Sequence, residues 1–505
     1  KVLVDRLFRY VTEERCNIDD FLIITYTKAA ASELRGKIAA KLTEEIARQP
    51  ENRHLQRQMQ RLFLTKISTV HGFCSDLLRE YAYKLDIAAD FRVADENECR
   101  EIRETVLEGL LDRAYETAGD DPDFRAFVDT QGVGRSDRQV PELVEKVYDS
   151  AHCHLNPEAW LDKCLTDAEA EGIGDAGETV WGQYLIRDFR EYLDCQMAVL
   201  RQCAESADSC PGLEKPAVTL RDALYQLEQL RACTTWDDIA AKREPRFGSL
   251  RFPTKNNPDP ELTERIKAAW SACKDGLRKK LVGFSNDSAQ VLADLHQTAA
   301  AQRGLVVLVR QFDRDYSAAK RSRRVLDFGD LEHKTLDLLL GKSRSQPTAA
   351  AREIGRRYRE IMVDEYQDSN GVQDAIFDAL TREKQNCFMV GDVKQSIYQF
   401  RLADPGIFLE KYEKYVPARQ AEPGQGRKIL LSHNFRSGAE VIDAVNDVFH
   451  TCMRPKVGGL TYGEAEELRE GIPHVPLDDA CGRIAARDPV SYTHLRAHET
   501  DQYLV

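Results

Sequence analysis

No run of the 505 residues approaches the roughly 18 consecutive apolar residues of a membrane span, which excludes a chain threaded through a bilayer by an apolar helix. The opening Lys-Val-Leu-Val-Asp-Arg-Leu-Phe-Arg interleaves charge with apolar residues at helical spacing. It lacks the apolar core of a secretory signal, and the expectation is a cytoplasmic protein with no membrane partner. Paired cysteines are missing too: the 13 cysteines include no Cys-x-x-Cys and no histidine at zinc spacing, so they read as reduced thiols. An excess of positive charge is also absent. Lys plus Arg 71 against Asp plus Glu 84 leaves a net −13, which excludes coating nucleic acid by bulk charge and makes any DNA contact local. Apolar residues at 42% and charged residues at 31% exclude disorder, and there is no internal repeat. Finally, no Gly-x-x-x-x-Gly-Lys-Ser/Thr phosphate loop occurs anywhere in the sequence.

What is present is a β-to-α rhythm at both ends of a long helical middle. Asp20 to Thr27 is a short β-rich apolar run, followed by helical periodicity through Ala29, Leu34, Ile38 and Leu42. Lys66 to Val70 repeats the step before the helical stretch Phe73 to Tyr83. From a candidate cap at Asp95 the pattern becomes amphipathic helix, with Ile102, Val106 and Leu110 on one stripe. Strand-like runs return at 361–364, 387–391 and Lys428 to Leu431. The basic run Lys320-Arg-Ser-Arg-Arg reads either as a solvated helix face or as a contact to DNA phosphates.

Two of the returning strands end in carboxylates. Ile361-Met-Val delivers Asp364 and Glu365, and a second apolar run ends at Gly391-Asp392. Such strand ends collect at the C-terminal edge of a parallel sheet, where one carboxylate can hold magnesium and a second can orient an attacking water. Taken alone, an Asp-Glu pair reads as a solvated strand end. Its company changes the reading: Gln367 and Asp368 follow at once, Gln373 lies on the next helix, Gln395 offers a hydrogen bond to a γ-phosphate, and Arg436 in Asn-Phe-Arg-Ser suits an arginine finger.

Thr25-Tyr-Thr-Lys-Ala-Ala-Ala-Ser-Glu-Leu, Ser68-Thr-Val-His-Gly-Phe-Cys, Val363-Asp-Glu-Tyr-Gln-Asp-Ser-Asn, Val390-Gly-Asp-Val-Lys-Gln-Ser-Ile-Tyr-Gln-Phe-Arg and Asn434-Phe-Arg-Ser resemble, in order, the motifs of superfamily 1 helicases of the UvrD/Rep type. Leu85 to Glu98 and Leu326-Asp-Phe-Gly-Asp-Leu-Glu-His are similar to the AddA family, the helicase/nuclease subunits of AddAB/RecBCD-type enzymes. The resemblance implies an α/β fold, a RecA-like parallel-sheet P-loop NTPase core with a large helical insertion. It implies ATP and Mg2+ as cofactors and single- and double-stranded DNA as partners. A second, AddB-like subunit, 3′-to-5′ translocation, and break repair with an associated exonuclease also follow from it. Residue by residue, it implies that Asp364 serves magnesium, Glu365 activates water, Gln395 and Arg436 contact the γ-phosphate, and Phe435 packs on the adenine. Tyr26, Lys28, His71, Phe400 and Arg401 would line the single-strand track, where aromatics beside cations suit base stacking. Core packing stays open for Tyr26 and Phe400, and a buried hydrogen-bonded imidazole stays equally open for His71.

The expected domains are 1–94 and 321–416 as the two parts of the first RecA-like domain, 95–320 as the helical insertion, and 427–488 as the start of a second RecA-like domain. Residues 489–505, with His494 and His498, resemble a non-native read-through tail. Lys1 falls just past the position of the family's phosphate-loop lysine and is not read as that residue. Both termini are expected to be truncated and the fragment to be inactive alone. The later helicase motifs and the family's nuclease domain are not found. Phe435 stands where tyrosine is frequent and Lys28 where asparagine is common. Rival readings are a non-hydrolysing helicase-like DNA-binding scaffold and a stand-alone UvrD-like repair helicase.

Overall fold

The computed structural model describes residues 2–85, 87–131, 139–253, 257–381, 385–398, 403–455 and 459–471. Its first strands are β1 (Phe21–Thr25), β2 (Lys66–Thr69), β3 (Arg92–Val93), β4 (Val325–Leu326), β5 (Glu360–Val363) and β6 (Cys387–Met389). The order β2-β1-β5-β6 makes one sheet, parallel throughout, and β3 pairs with β4 apart from it. Every residue of β1 is buried, as a central strand covered on both faces must be.

Side chains alternate across that sheet with the period of two that a pleated strand imposes. Leu22 and Ile24 of β1, with Ile361 and Val363 of β5, face Phe73 and Leu77 of helix Val70–Glu80, Leu336 and Leu339 of helix Phe328–Leu340, and Ile376 of helix Gly371–Leu380. Phe21, Ile23 and Met362 face the other way, onto Leu7 and Val11 of helix Val2–Thr12 and Ile38 and Leu42 of helix Lys28–Arg48. Helices therefore cover both faces, the arrangement parallel strands need to bury their apolar surface.

Caps explain where the helices begin. Thr27 accepts from the Ala30 N–H, Thr69 from the Gly72 N–H, Asp327 from the Asp330 N–H and Asn370 from the Gln373 N–H. Each satisfies an amide that the first helical turn leaves without a partner, worth about 1 kcal/mol apiece.

Two compact units emerge. The first holds the residues up to Glu101, His152–Asn156 and those from Ala318 onward; the second holds Ile102–Ala151 and Pro157–Ser317. The second unit is helical, and among the described residues no strand falls between Val93 and Val325. Leu193, Leu200, Leu220, Leu227, Trp236 and Phe284 belong to its apolar core. No described helix is long and apolar enough to cross a membrane.

Two expectations are corrected. The strand expected at Lys428 to Leu431 shrinks to β8 (Arg427–Lys428), paired with β7 (Val416–Pro417). Ile429, Leu430 and Leu431 are exposed, and among the described residues they belong to no strand. Lys320 is neither on a solvated face nor available to a phosphate. Its side chain is 2% exposed, with Nζ 2.7 Å from both Asp327 and Asp330 at the start of helix Phe328–Leu340. The ammonium's donors serve both carboxylates there, the pairing a buried charge requires, while burial and Asp327 still push Asp330 up.

Lys320→Met should therefore strand both aspartates, at a cost of about 3–5 kcal/mol. Urea unfolding at neutral pH measures it, and an unchanged midpoint overturns the role given to the ion cluster.

Candidate nucleotide and nucleic-acid site

Register brings the functional turns together. Ile24 of β1 lies beside Ser68 of β2 and Val363 of β5, and Val363 beside Met389 of β6. The strands thus end side by side, so the segments beginning at Tyr26, Val70, Asp364 and Val390 leave the sheet along one edge.

Asp364 is half-buried and its amide donates to Ile24 O at 3.0 Å. Glu365 is exposed and left-handed, φ 52°, a conformation costing a non-glycine residue on the order of 1–2 kcal/mol. Neighbours hold it there. The Tyr366 amide donates to Val390 O at 2.8 Å, so the turn is tied to β1 on one side and to the end of β6 on the other. Gln367, fully buried, donates from Nε2 to Glu365 Oε2 at 2.8 Å and accepts the Asp392 amide on Oε1 at 2.9 Å. One side chain thereby links the two acidic strand ends. Gly391 leaves room for that bridge: a Cβ there would stand 2.7 Å from Gln367 Oε1 and 3.2 Å from the Tyr366 nitrogen. Asp392 in turn accepts from Gln395 Nε2 at 3.0 Å and pairs with Lys394 at 2.8 Å.

Carboxylates crowd the turn that follows β5. Burial, then the neighbouring Glu365, push Asp364 above the usual carboxylate range, and the same two causes push Asp368 up to about 6. No group of three or more His, Cys, Asp or Glu side chains gathers as a metal cage among the described residues. Magnesium needs no such cage, since one or two carboxylates, waters and substrate phosphates complete its shell. Asp364 fits that donor set, because a cation there would offset the charge that burial and Glu365 make costly.

The track residues are placed differently. Tyr26 is largely buried, its hydroxyl 2.5 Å from Ser369 Oγ and donating to Gln373 Oε1 at 3.1 Å. Gln373 donates to Glu332 Oε1 at 2.7 Å, and His71 Nε2 lies 3.1 Å from the same oxygen. His71 after β2 and Gln373 beyond β5 thus meet on one buried carboxylate, and Tyr26 after β1 joins it through Gln373. Burial alone would raise the pKa of Glu332, but the hydrogen bonds and charge of His71, then Gln373 and Asn370, hold it below its usual value. The His71 ring also lies against Phe328, centroids 4.4 Å apart. Lys28 is exposed on the first turn of its helix.

Phe435 and Arg436 follow β9 (His433–Asn434). Phe435 is 64% exposed beside Gly471, and the Arg436 side chain makes no hydrogen bond or ion pair among the described residues. Gln395 is therefore joined to the acidic cluster through Asp392, whereas no hydrogen bond or ion pair brings Phe435 or Arg436 to it. Phe400, Arg401, Lys1, His494 and His498 lie outside the described residues. Sequence reasoning missed Glu332 and the bridging role of Gln367. Glu332 carried a signal, since it shares a helix face with Thr335, Leu336 and Leu339, an unusual place for a charge.

Glu332→Gln keeps the shape and removes the charge. A depressed carboxylate contributes stability above its ordinary value, about 4.3, and loses it as pH falls through its folded value. The variant should cost about 1–3 kcal/mol at pH 7 and progressively less below about pH 4. Chemical unfolding across pH measures this; equal losses at both ends would contradict the ionised hub.

The UvrD/REP helicase N-terminal domain matches residues 1–416. Relatives named as ATP-dependent helicase/nuclease subunits match nearly the whole chain. That of Pelotomaculum thermopropionicum is 36% identical, covering 95% of this chain and 39% of its own length. That of Listeria welshimeri is 34% identical over 93% and 38%, and that of Geobacillus kaustophilus 35% identical over 96% and 40%. The chain therefore spans about 40% of the length of these relatives. With a parallel sheet wrapped by helices and the acidic turns at one edge, the chain belongs to the UvrD/REP helicase family.

Proposed function

We propose that this chain is part of an ATP-dependent DNA helicase or translocase subunit of a helicase–nuclease. Such an enzyme would move 3′ to 5′ on single-stranded DNA during double-strand break repair and recombination, with a second AddB-like subunit, in the cytoplasm. The observation that carries the reading is the Gln367 bridge, which clamps Glu365 in a left-handed turn and ties it to Asp392, just past the end of the next strand. Backbone strain held in place by neighbouring side chains is characteristic of a working site. The relatives' name, that of an ATP-dependent helicase/nuclease, supports the same conclusion.

In this reading residues 1–94 and 321–416 form the first RecA-like domain, 95–320 its inserted domain, and 427–488 the start of the second. Magnesium, when bound, supplies charge neutralisation at the phosphates, and Asp364 is the residue that would hold it. Glu365 orients and deprotonates the attacking water. Gln395 and Arg436 contact the γ-phosphate, and Phe435 packs on the adenine. Lys28 and His71, with Tyr26, Phe400 and Arg401, line the strand track. Since the sequence contains no phosphate loop, the chain as it stands should hydrolyse ATP weakly or not at all.

The test fuses the chain behind a Gly-x-x-x-x-Gly-Lys-Thr loop and measures DNA-stimulated hydrolysis. Glu365→Gln should lower kcat by about 10² to 10⁴ with nucleotide affinity retained, and Arg436→Ala by about 10³ or more. Unchanged turnover in Glu365→Gln removes its role as the base, and brisk hydrolysis by the unfused chain overturns the need for the loop.

A further inference from the structure

We propose that Glu332 is a positioning residue through which a strand bound at His71 resets the turn that carries Glu365. The proposal rests on the single-strand DNA reading above and adds to it the side chain that links the strand to the hydrolysis turn.

Packing does not account for a carboxylate at this position. Glu332 is 6% exposed, and Thr335, Leu336 and Leu339 on the same helix face are fully buried. A leucine there would join the apolar core without the desolvation that a buried carboxylate suffers. The helix does not need Glu332 for its start either, because Asp327 and Asp330 each accept the other's amide. Its partners come instead from two other segments of the chain.

One oxygen serves both segments. Glu332 Oε1 accepts from Gln373 Nε2 at 2.7 Å and lies 3.1 Å from His71 Nε2, while Oε2 lies 3.5 Å from Asn370 Nδ2. Held ionised, the carboxylate can only accept, so His71 donates to it. Gln373 is not free to turn its amide, since its Oε1 accepts the Tyr26 hydroxyl at 3.1 Å. His71 reaches solvent: its side chain is 33% exposed and makes no second hydrogen bond among the described residues. A hydrogen bond weakens steeply as its angle closes, so an imidazole drawn toward a bound strand draws Glu332, and Glu332 draws Gln373.

The far end of this link is the hydrolysis turn. Asn370 caps the helix Gly371–Leu380 by accepting the Gln373 amide at 2.8 Å, so both residues that Glu332 holds there form the helix start. The Tyr366 hydroxyl is bonded to Asp374 of the same helix, and Ser369 Oγ lies 2.5 Å from the Tyr26 hydroxyl. Directly before Tyr366 stands Glu365, clamped by Gln367. A displacement of the helix start therefore reaches Glu365 through short directional contacts, and hydrolysis answers to the strand.

The experiment saturates the 505-residue chain with an oligothymidylate and reads amide hydrogen exchange by mass spectrometry, with the anisotropy of a fluorescent strand confirming saturation. In the parent chain the strand should slow exchange around His71 and also over residues 366–376. Glu332→Gln keeps the shape but offers one acceptor oxygen where Glu offers two, so a donor loses its partner. This variant should still bind the strand and keep the slowing around His71, yet lose it over 366–376. Gln373→Met breaks the link from the other side and should give the same loss, which keeps the test decisive should the first variant fold poorly. A merely structural role would raise exchange with and without the strand alike and leave the difference between them in place. Strand-dependent slowing over 366–376 that persists in a folded variant overturns the proposal, as does a parent chain that binds the strand without any change there. A parent chain that binds no strand removes the DNA reading beneath it, a result distinct from the other two.

Discussion

Parallel pairing of β1 with β2 on one side and β5 on the other is the constraint on which the rest depends. With Ile24 in register with both Ser68 and Val363, three segments far apart in the chain leave the sheet at one level. A one-residue slip of β5 would turn Val363 and Ile361 from one helical layer to the other, and both layers are fully packed. Burial on the two faces therefore fixes the register, and the register fixes where Asp364 and Glu365 emerge. The chemistry of the edge is inherited from the packing of the core.

The stretch from Asp364 to Gln373 serves two polar networks. Gln367 points toward Glu365 and the Asp392 amide, the acidic side of the edge. Ser369, Asn370 and Gln373 turn toward Tyr26 and Glu332, the side that carries His71. Both networks are largely satisfied, yet they differ in electrostatic character. At Glu332 the donors outweigh the cost of burial and the carboxylate is held ionised. At Asp364 and Asp368 burial and Glu365 prevail and push the carboxylates up. The first behaves as a structural hub, while at the second the two carboxylates stay above their usual range. Tyr26 accordingly bonds from inside the protein through its hydroxyl.

Much of this was legible in the amino-acid order because the signals were local. Apolar runs at Asp20 to Thr27 and 361–364 announced strands, the periodicity through Ala29, Leu34, Ile38 and Leu42 announced a helix, and the helical periodicity after Asp95 announced the middle of the chain. Where a partner distant in sequence decides the outcome, local pattern misled. Lys320 belongs to a basic run, yet Asp327 and Asp330 draw it inside. Ile429 to Leu431 has the composition of a strand, but composition does not supply a neighbour to pair with.

The sequence by itself determined the class of fold and the family, because strand-forming runs, caps and motif order are properties of short segments and of their succession. Only the tertiary structure decided which polar side chains act on one another. It made Gln367 the bridge between two strand ends and Glu332 the common acceptor for His71 and Gln373, and it set the Phe328 ring against His71. The reason is that a hydrogen bond or a ring contact is set within a few ångströms in space, and folding brings within that reach residues as far apart in the chain as His71 and Glu332. No spacing along the chain encodes that distance.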